Sequence, residues 1–392
     1  LGNMFRIELT DNENRYCELS LPATDYELLD ALEILRMQPG DEPKWEIIQH
    51  GNRTEHLQIY LEDCTLYELN AFARKLSDMH PDQRVAFEGI LQMALDRREG
   101  PMSVKDLFTY ANSTVSCHVL DDVHNDEQLG RFYAENDFFP ELEDVPDFAF
   151  ERLDFAKIGK EMREGERGVF TRYGYVLQAS ELVPDHSNNN APPKAPEYTL
   201  RLRIGQYPFD TGGSPEVTTA LDLPASSKEL CKALETVGAA SWEEVVFAIE
   251  DSAIPGFPEE IYGDSFEELN DYAQTVKDIQ AANKLTEFKA IIAAKGCSTV
   301  HKAMEIAERM DDFFVELDKQ SPYDVAREEI CFSMPEEEAN LLLKHVDLYG
   351  YGKDLMARYN SQLTDYGLVV RKDGEPIQSQ EEPSVQMNME MG

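Results

Sequence analysis

Enzyme chemistry requires unlike groups at fixed spacing, and such spacings are sparse in this chain. Gly350-Tyr351-Gly352-Lys353-Asp354 holds a Gly-Lys pair. It lacks the earlier glycine and the following Ser/Thr of a phosphate-binding loop, so it reads as a turn beside a helix. No Gly-x-Ser-x-Gly, His-Glu-x-x-His or dinucleotide fingerprint occurs. His118 and His124 flank Asp121 and Asp122, with Asp126 and Glu127 just beyond. This is the nearest approach to a metal-ligand cluster, and a solvated acidic loop accounts for it. The six cysteines (Cys17, Cys64, Cys117, Cys231, Cys297 and Cys331) contain no Cys-x-x-Cys pair and read as small core residues. The expectation is a protein that is not an enzyme and carries no cofactor and no metal.

What the chain has in excess is carboxylate. Asp and Glu number 76 against 36 Lys and Arg, a formal net charge of -40. From Ala233 to Val276 there is no Lys, Arg or His. The acids of that span include Glu235, Glu243, Glu244, Glu250, Asp251, Glu259, Glu260, Asp264, Glu267, Glu268 and Asp271. A second run holds Glu135, Asp137, Glu141, Glu143, Asp144 and Asp147, and a third is Glu336-Glu337-Glu338. Trp242, Val246, Phe247, Phe257, Phe266 and Leu269 are interleaved with the first run, so it can fold while its acids face water. On a helix starting at Phe266, the apolar stripe leaves Glu267, Glu268 and Asp271 outward.

A charge of this size disfavours nucleic acid and anionic membrane as direct partners and favours a basic groove on another protein. One reading is a solvated surface that serves solubility. The sharper one follows from B-DNA, which carries one negative charge per roughly 1.7 Å of axis and is gripped through those charges. Carboxylates in a comparable array, with Asp121 and Asp122 among them, would occupy the same groove without imitating any one recognition sequence. Desolvation offsets much of each charge pair, so fit must contribute as well.

The 42% hydrophobic and 10% aromatic content is that of a folded chain, enough for a core in each half. No apolar run approaches transmembrane length, and a cytoplasmic location is expected. The elements that must position the acids occur twice. Residues 153–176 and 346–369 align at one offset. They share Asp154/Asp347, Gly159/Gly352, Lys160/Lys353, Thr171/Thr364, Tyr173/Tyr366, Gly174/Gly367 and Val176/Val369. Leu19–Leu28 with Ala31-Leu32-Glu33 returns as Leu221–Leu230 with Ala233-Leu234-Glu235. Glu68-Leu69-Asn70 returns as Glu268-Leu269-Asn270, Phe87 as Phe288, and Gly130-Arg131 as Ala326-Arg327. A repeat this long predicts two homologous domains rather than a solenoid.

The domains expected are 4–178 and 198–372, joined by a Pro/Asn-rich linker at 179–197 and followed by a polar tail at 373–392. The fold class expected is α+β, each half having a strand-rich N-terminal unit, a helical middle unit and an α/β C-terminal unit. In the first half, strands are predicted at Phe5–Leu9, Trp45–Ile48 and Ile59–Leu61, with Thr24 or Asp25 capping a short helix. Helices follow from Leu66, near Pro81 and after Ser103. A strand at His118–Leu120, a helix at Asp126–Tyr133 and the repeated helix-turn-strand motif close the half. In the second half, strands are predicted at 198–204 and 245–249 and helices at 266–279, 285–294 and 299–310.

Leu153–Lys160 and Gly168–Tyr175 resemble the closing region of the ArdA antirestriction proteins, and Asp347–Asp354 resembles that family's Asp-x-x-x-Tyr-Gly-Arg-Asp segment more closely. Asp154, Gly159, Lys160, Tyr173 and Gly174, with Asp347, Gly352, Lys353, Tyr366 and Gly367, carry the likeness. It extends over nearly the whole chain, one family unit in each half. The resemblance implies an elongated three-subdomain DNA mimic, carried on conjugative elements, that inhibits type I restriction-modification enzymes by occupying their DNA groove. Two departures stand out. The family's usual member is a single unit that dimerises, so the duplication implies an internal pseudo-dimer or a homodimer. The first half has Ile158 where the motif has Tyr, and Lys160-Glu161 for Arg-Asp. The competing expectation is an acidic scaffold or chaperone-like protein that binds basic proteins without duplex mimicry.

Overall fold

The computed structural model describes residues 2–13, 15–51, 54–97, 101–136, 138, 146–207, 217–259 and 265–377. They fall into two compact units, Leu1–Ala23 with Met37–Pro193 and Thr24–Arg36 with Lys194–Gly392. Both mix helices with small antiparallel sheets, and their strand-strand pairings are antiparallel throughout.

The chain opens with β1 (Phe5–Thr10) and β2 (Tyr16–Leu21), passes through helix α1 (Asp25–Ile34), and returns in β3 (Lys44–His50) to give the sheet order β2-β1-β3. Phe5, Ile7 and Leu9 are buried while Arg6 faces out, the period-two pattern of a strand with one covered face. Three helices follow, α2 (Leu66–Ser77), α3 (Pro81–Arg97) and α4 (Val104–Asn112). The first unit ends with β4 (Cys117–Leu120), α5 (Asp126–Glu135), α6 (Asp147–Phe150), α7 (Phe155–Glu166), β5 (Val169–Thr171) and β6 (Gly174–Gln178), whose sheet runs β4-β6-β5.

Between β3 and α2 the expected strand at Ile59–Leu61 is instead the end of a 3-10 helix, Glu55–Tyr60. Leu57 and Leu61 are buried and Ile59 is exposed, a four-residue spacing that suits a helical turn and not a strand. The stretch expected to be a linker also differs from expectation over much of its length. Val183 N–H donates to Ser113 Oγ at 2.8 Å, Asn112 Nδ2 donates to Asp185 at 3.0 Å, and Thr65 Oγ1 donates to Asn190 at 2.7 Å. Residues 183–190 are thus hydrogen-bonded along the first unit rather than spanning free solvent.

The second unit contains β7 (Leu200–Gln206), β8 (Thr218–Leu223), α8 (Ser227–Val237) and β9 (Val245–Ser252), in sheet order β8-β7-β9. Helices α9 (Phe266–Ala281), α10 (Leu285–Lys295) and α11 (Val300–Glu308) lead to β10 (Phe313–Glu316). Then come α12 (Pro322–Ser333), α13 (Glu336–Leu343), α14 (Leu348–Arg358), β11 (Gln362–Thr364) and β12 (Gly367–Arg371), with sheet order β10-β12-β11. Leu200, Leu202 and Ile204 of β7 share one core with Leu269, Ala273 and Val276 of α9, Phe288 and Ile291 of α10, and Val300 of α11. Ile377 is buried in that core, so the tail expected from 373 begins later, and residues 378–392 lie outside those described.

The same order of elements therefore runs twice, down to matching irregularities. A bulge interrupts the β1–β3 pairing after Arg6 and the β7–β9 pairing after Arg201. Asn70 accepts from Ala23 N–H at 2.7 Å, and Asn270 accepts from Ala225 N–H at 2.8 Å. Thr65 with Glu68 and Ser265 with Glu268 close capping boxes at the starts of α2 and α9.

The helix pairs α5/α7 and α12/α14 cross with backbones in contact. A Cβ on Gly159 would lie 1.8 Å from the Asp126 carbonyl oxygen, and one on Gly352 would lie 1.9 Å from that of Pro322. Both obstacles are backbone, so a helix must move to admit the methyl. Gly165, in the last turn of α7, has open space around the same position. Replacing glycine by alanine in a helix gains up to about 1 kcal/mol of propensity, whereas overpacking a contact costs about 1–3 kcal/mol. Gly159→Ala and Gly352→Ala are expected to lower stability in urea unfolding by about 2 kcal/mol net, and Gly165→Ala to raise it by up to about 1 kcal/mol. Equal effects at all three positions would show that the close crossing does not matter.

Candidate functional site

The repeated motif comes together as scaffold. Asp154 and Asp347 are N-caps, accepting from Lys157 N–H and Gly350 N–H at 3.0 Å in each case. Thr171 Oγ1 donates to the Gly174 carbonyl at 3.0 Å and accepts from Tyr173 N–H at 3.1 Å; Thr364 does the same with Gly367 and Tyr366 at 2.8 and 3.3 Å. Gly174 and Gly367 both have φ of +148°, and a Cβ there would meet the Leu120 or Glu316 carbonyl oxygen at 2.4 or 2.5 Å. Only glycine fits that turn. Lys160 lies on the exposed side of α7, 3.9 Å from Glu164, and Lys353 sits over the Tyr349 ring at 5.0 Å. The motif fixes a helix start, a helix crossing and a hairpin. It assembles no catalytic constellation.

The acids are placed differently. Asp121, Asp122, Glu135, Glu243, Glu250, Glu259, Glu267, Glu268, Asp271, Glu336, Glu337 and Glu338 are exposed, and Glu244 is half-buried. The expected outward row on α9 is present, with Phe266, Leu269, Tyr272 and Ala273 buried opposite Glu267, Glu268 and Asp271. Some of these carboxylates are engaged locally. Glu135 pairs with Arg131 at 3.1 Å, Glu250 with Arg203, and Glu268 accepts from Ser265 N–H at 2.8 Å. Asp251 corrects the expectation of an outward acid. It is 9% exposed and accepts from Thr24 Oγ1 at 2.8 Å and Tyr198 OH at 2.7 Å, which commits it to the interior of the second unit. Asp137, Glu141, Glu143, Asp144, Glu260 and Asp264 lie outside the described residues, as does the side chain of Asp147.

Beside the third acid run is an apolar surface that the composition did not signal. Phe332, at the end of α12, is 89% exposed, and Leu341 on α13 is 62% exposed. Tyr323 and Tyr349 are also exposed, their rings 5.5 Å apart. Glu336–Glu338 form the first turn of α13, where carboxylates suit the helix dipole. Phe332 and Leu341 flank the three carboxylates in the chain, so this segment offers both charge and apolar contact. The aromatic in Ile330-Cys331-Phe332-Ser333 was the available sequence signal, but helical periodicity alone does not reveal an uncovered position.

Sequence reasoning also missed a buried ionic cluster in the second unit. Lys289 of α10 is 4% exposed and donates to Asp30 at 2.6 Å and Glu33 at 2.7 Å, both on α1. Tyr366 OH donates to Asp30 at 3.0 Å, Thr286 donates to Glu33, and Arg36 donates to the Tyr366 carbonyl at 2.5 Å. Burial pulls the Lys289 ammonium down, but Asp30 and Glu33 outweigh it and hold its pKa above the ordinary lysine value. Burial pushes the Tyr366 hydroxyl up, so it stays a donor. The cluster has the desolvated charges of a structural lock. Among the described residues, no group of three or more His, Cys, Asp or Glu could hold a metal ion. Burial pushes the Cys64 and Cys117 thiols up to about 12 and about 11, but of the six cysteines expected in the core only Cys64 and Cys297 are buried, and Cys231 and Cys331 are exposed.

No protein-family model and no curated protein matches the chain. No helix among the described residues is long and apolar enough to cross a membrane.

Removing the buried cation would strand two carboxylates. Lys289→Met is expected to cost about 3 kcal/mol in equilibrium unfolding, and adding Asp30→Asn should return part of that loss. Additive effects in the double variant would mean that the two side chains are not coupled. Acid should act in two opposing stages. Arg163 hydrogen-bonds Asp126 and holds its carboxyl below the ordinary range; hydrogen bonds from Asn189, Ser187 and Asn112 outweigh burial to do the same for Asp185. A depressed carboxylate stabilises fully above its unfolded pKa of about 4 and loses that contribution as pH falls through the folded value. Self-repulsion at net charge -40 weakens earlier, as ordinary acids begin to protonate. The melting temperature is therefore expected to rise from pH 8 to about pH 5.5 and to fall below about pH 4. A steady decline from pH 8 downward would contradict this balance.

Proposed function

We propose that the chain is an antirestriction protein of the ArdA kind, a DNA mimic that binds through its carboxylates and performs no catalysis. The observation that carries this reading is the outward acid row of α9 inside a stretch, Ala233–Val276, that has no basic residue. The core beneath is apolar and well filled, so the acids are held on a folded surface rather than on a polyanionic coil. Two runs of matching elements support a tandem duplication, with copies at about 4–178 and 198–372 that form an internal pseudo-dimer.

The target is a DNA-binding protein with a basic groove, in this reading a type I restriction-modification enzyme. Such a groove is lined to take phosphate charge without reading sequence, so a carboxylate array meets it where a base sequence is not required. Each carboxylate loses hydration on entering, and Coulomb attraction returns only part of that. The exposed Phe332 and Leu341, which flank Glu336–Glu338 in the chain, supply apolar contact in addition to charge.

Purified protein is expected to protect unmodified duplex DNA from a type I restriction enzyme at one-to-one stoichiometry, in direct competition with DNA. Raising salt from about 50 to about 200 mM should weaken that inhibition tenfold or more. Reversing Glu267 and Asp271 to Lys, which leaves the Ser265–Glu268 capping box intact, should weaken it severalfold while the fold persists. Equal protection by heparin or polyglutamate at matched charge would replace mimicry with the acidic-scaffold reading. No protection at low salt would end the proposal for this enzyme class.

A further inference from the structure

Helix α1 and its counterpart α8 occupy different surroundings. The repeat that matches Leu19–Leu28 to Leu221–Leu230 also sets Asp30 opposite Lys232 and Glu33 opposite Glu235. Every residue of α1 is at least half-buried. On α8, by contrast, Ser227, Lys228, Glu229, Cys231, Lys232, Glu235 and Thr236 are exposed. What covers the corresponding face of α1 is α10 with Lys289, and the Tyr366 turn.

The surface corresponding to α10 and that turn exists once more, on the first unit. Phe87 matches Phe288, which sets Glu88 of α3 opposite Lys289, and Tyr173 matches Tyr366. There Glu88, Gln92, Phe170, Thr171, Arg172 and Tyr173 line an open groove of about 250 Å³. Tyr173 is exposed where Tyr366 is covered, and Glu88 is half-buried with His56 Nε2 at 3.1 Å. The chain thus carries one uncovered helix face and one uncovered groove, each the counterpart of a member of a pair already joined in the second unit.

The charges on the two open surfaces are complementary in an inverted sense. The joined pair has acids on the helix, Asp30 and Glu33, and the cation on the receiving surface, Lys289. The open pair has Lys232 on the helix and Glu88 on the receiving surface, with Glu235 retained as the second acid. With Arg172 on the groove, the open pair holds two cations, Lys232 and Arg172, and two carboxylates, Glu235 and Glu88. At the Asp30 position Lys232 would repel a lysine such as Lys289, whereas Glu88 attracts it.

We propose that α8 of one molecule docks into the Glu88–Tyr173 groove of a second copy of this chain, with Lys232 pairing Glu88. This inference rests on the two runs of elements being copies of one unit, and is independent of whether the acids mimic DNA. The contact is heterologous, helix to groove, so it joins copies head to tail rather than across a two-fold axis.

Sedimentation velocity from about 1 to about 200 µM, in roughly 0.2 M salt to screen the net charge, should show concentration-dependent species heavier than one chain. Lys232→Glu and Glu88→Lys should each raise the dissociation constant about thirtyfold or more. An equimolar mixture of the two variants should regain association, because the groove of the first and the helix of the second are intact. Cys231 on α8 should become slower to alkylate as wild-type protein is concentrated, while exposed Cys331 on α12 should not. A wild type that stays a single chain throughout would overturn the proposal. So would association that neither substitution weakens, or a mixture that fails to regain it. Inhibition of a restriction enzyme by a strictly single-chain species would overturn this contact and leave the DNA-mimic reading standing.

Discussion

Surplus negative charge is the constraint that the rest of this molecule accommodates. At net charge -40 every carboxylate raises the cost of bringing the chain together, unless it is solvated, paired or placed where the backbone favours an anion. All three solutions are visible. Glu27, Glu68, Glu229, Glu268 and Asp324 close capping boxes, where backbone N–H groups and the helix dipole welcome a carboxylate. Arg163 holds Asp126, Arg201 holds Asp222, and Lys289 holds Asp30 with Glu33. Among the described residues Glu243, Glu267 and Asp271 instead face water, inside a stretch without Lys, Arg or His, as do Glu336–Glu338.

That division explains which parts of the structure were legible in the sequence. The repeated residues each have a geometric task that only one or two residue types can perform. Gly367 occupies a backbone region closed to a side chain, Gly352 admits a neighbouring carbonyl, and Asn270 caps a strand end. Such tasks leave marks at fixed spacing, so the helix-turn-strand motif and the order of elements could be read directly. The 3-10 helix at Glu55–Tyr60 could not, because a short apolar stretch fits strand and helical turn alike until its neighbours are known. Residues 183–190 read as a linker by composition, since Asn and Pro signal irregular backbone without saying whether it is bonded to a surface.

The candidate site was legible only in part, for a related reason. Amphipathic spacing predicted that Glu267, Glu268 and Asp271 would point outward, and they do. Asp251 sits in an equally acidic stretch yet is enclosed by Thr24 and Tyr198, partners distant in sequence. A count of acids cannot separate those two cases. Nor can the repeated motif speak for function by itself, because its residues build the crossing and the hairpin rather than the acidic face. Binding through charge would depend on carboxylates whose individual positions that scaffold does not dictate.

The Lys289 cluster shows how such a scaffold can still specify one arrangement. Burying three charges gains little net stability, since desolvation opposes the attraction among them. What it does supply is discrimination, because a helix lacking both carboxylates would leave the ammonium stranded out of water. α1 satisfies that requirement with Asp30 and Glu33, whereas α8 brings Lys232 to the matching position and would place two ammonium groups together. The two helices are therefore not interchangeable against α10, although their capping boxes agree and Leu28, Ala31 and Leu32 recur as Leu230, Ala233 and Leu234. The residues the two helices share set the fold of each, and the few charges at which they differ decide which surface each can cover.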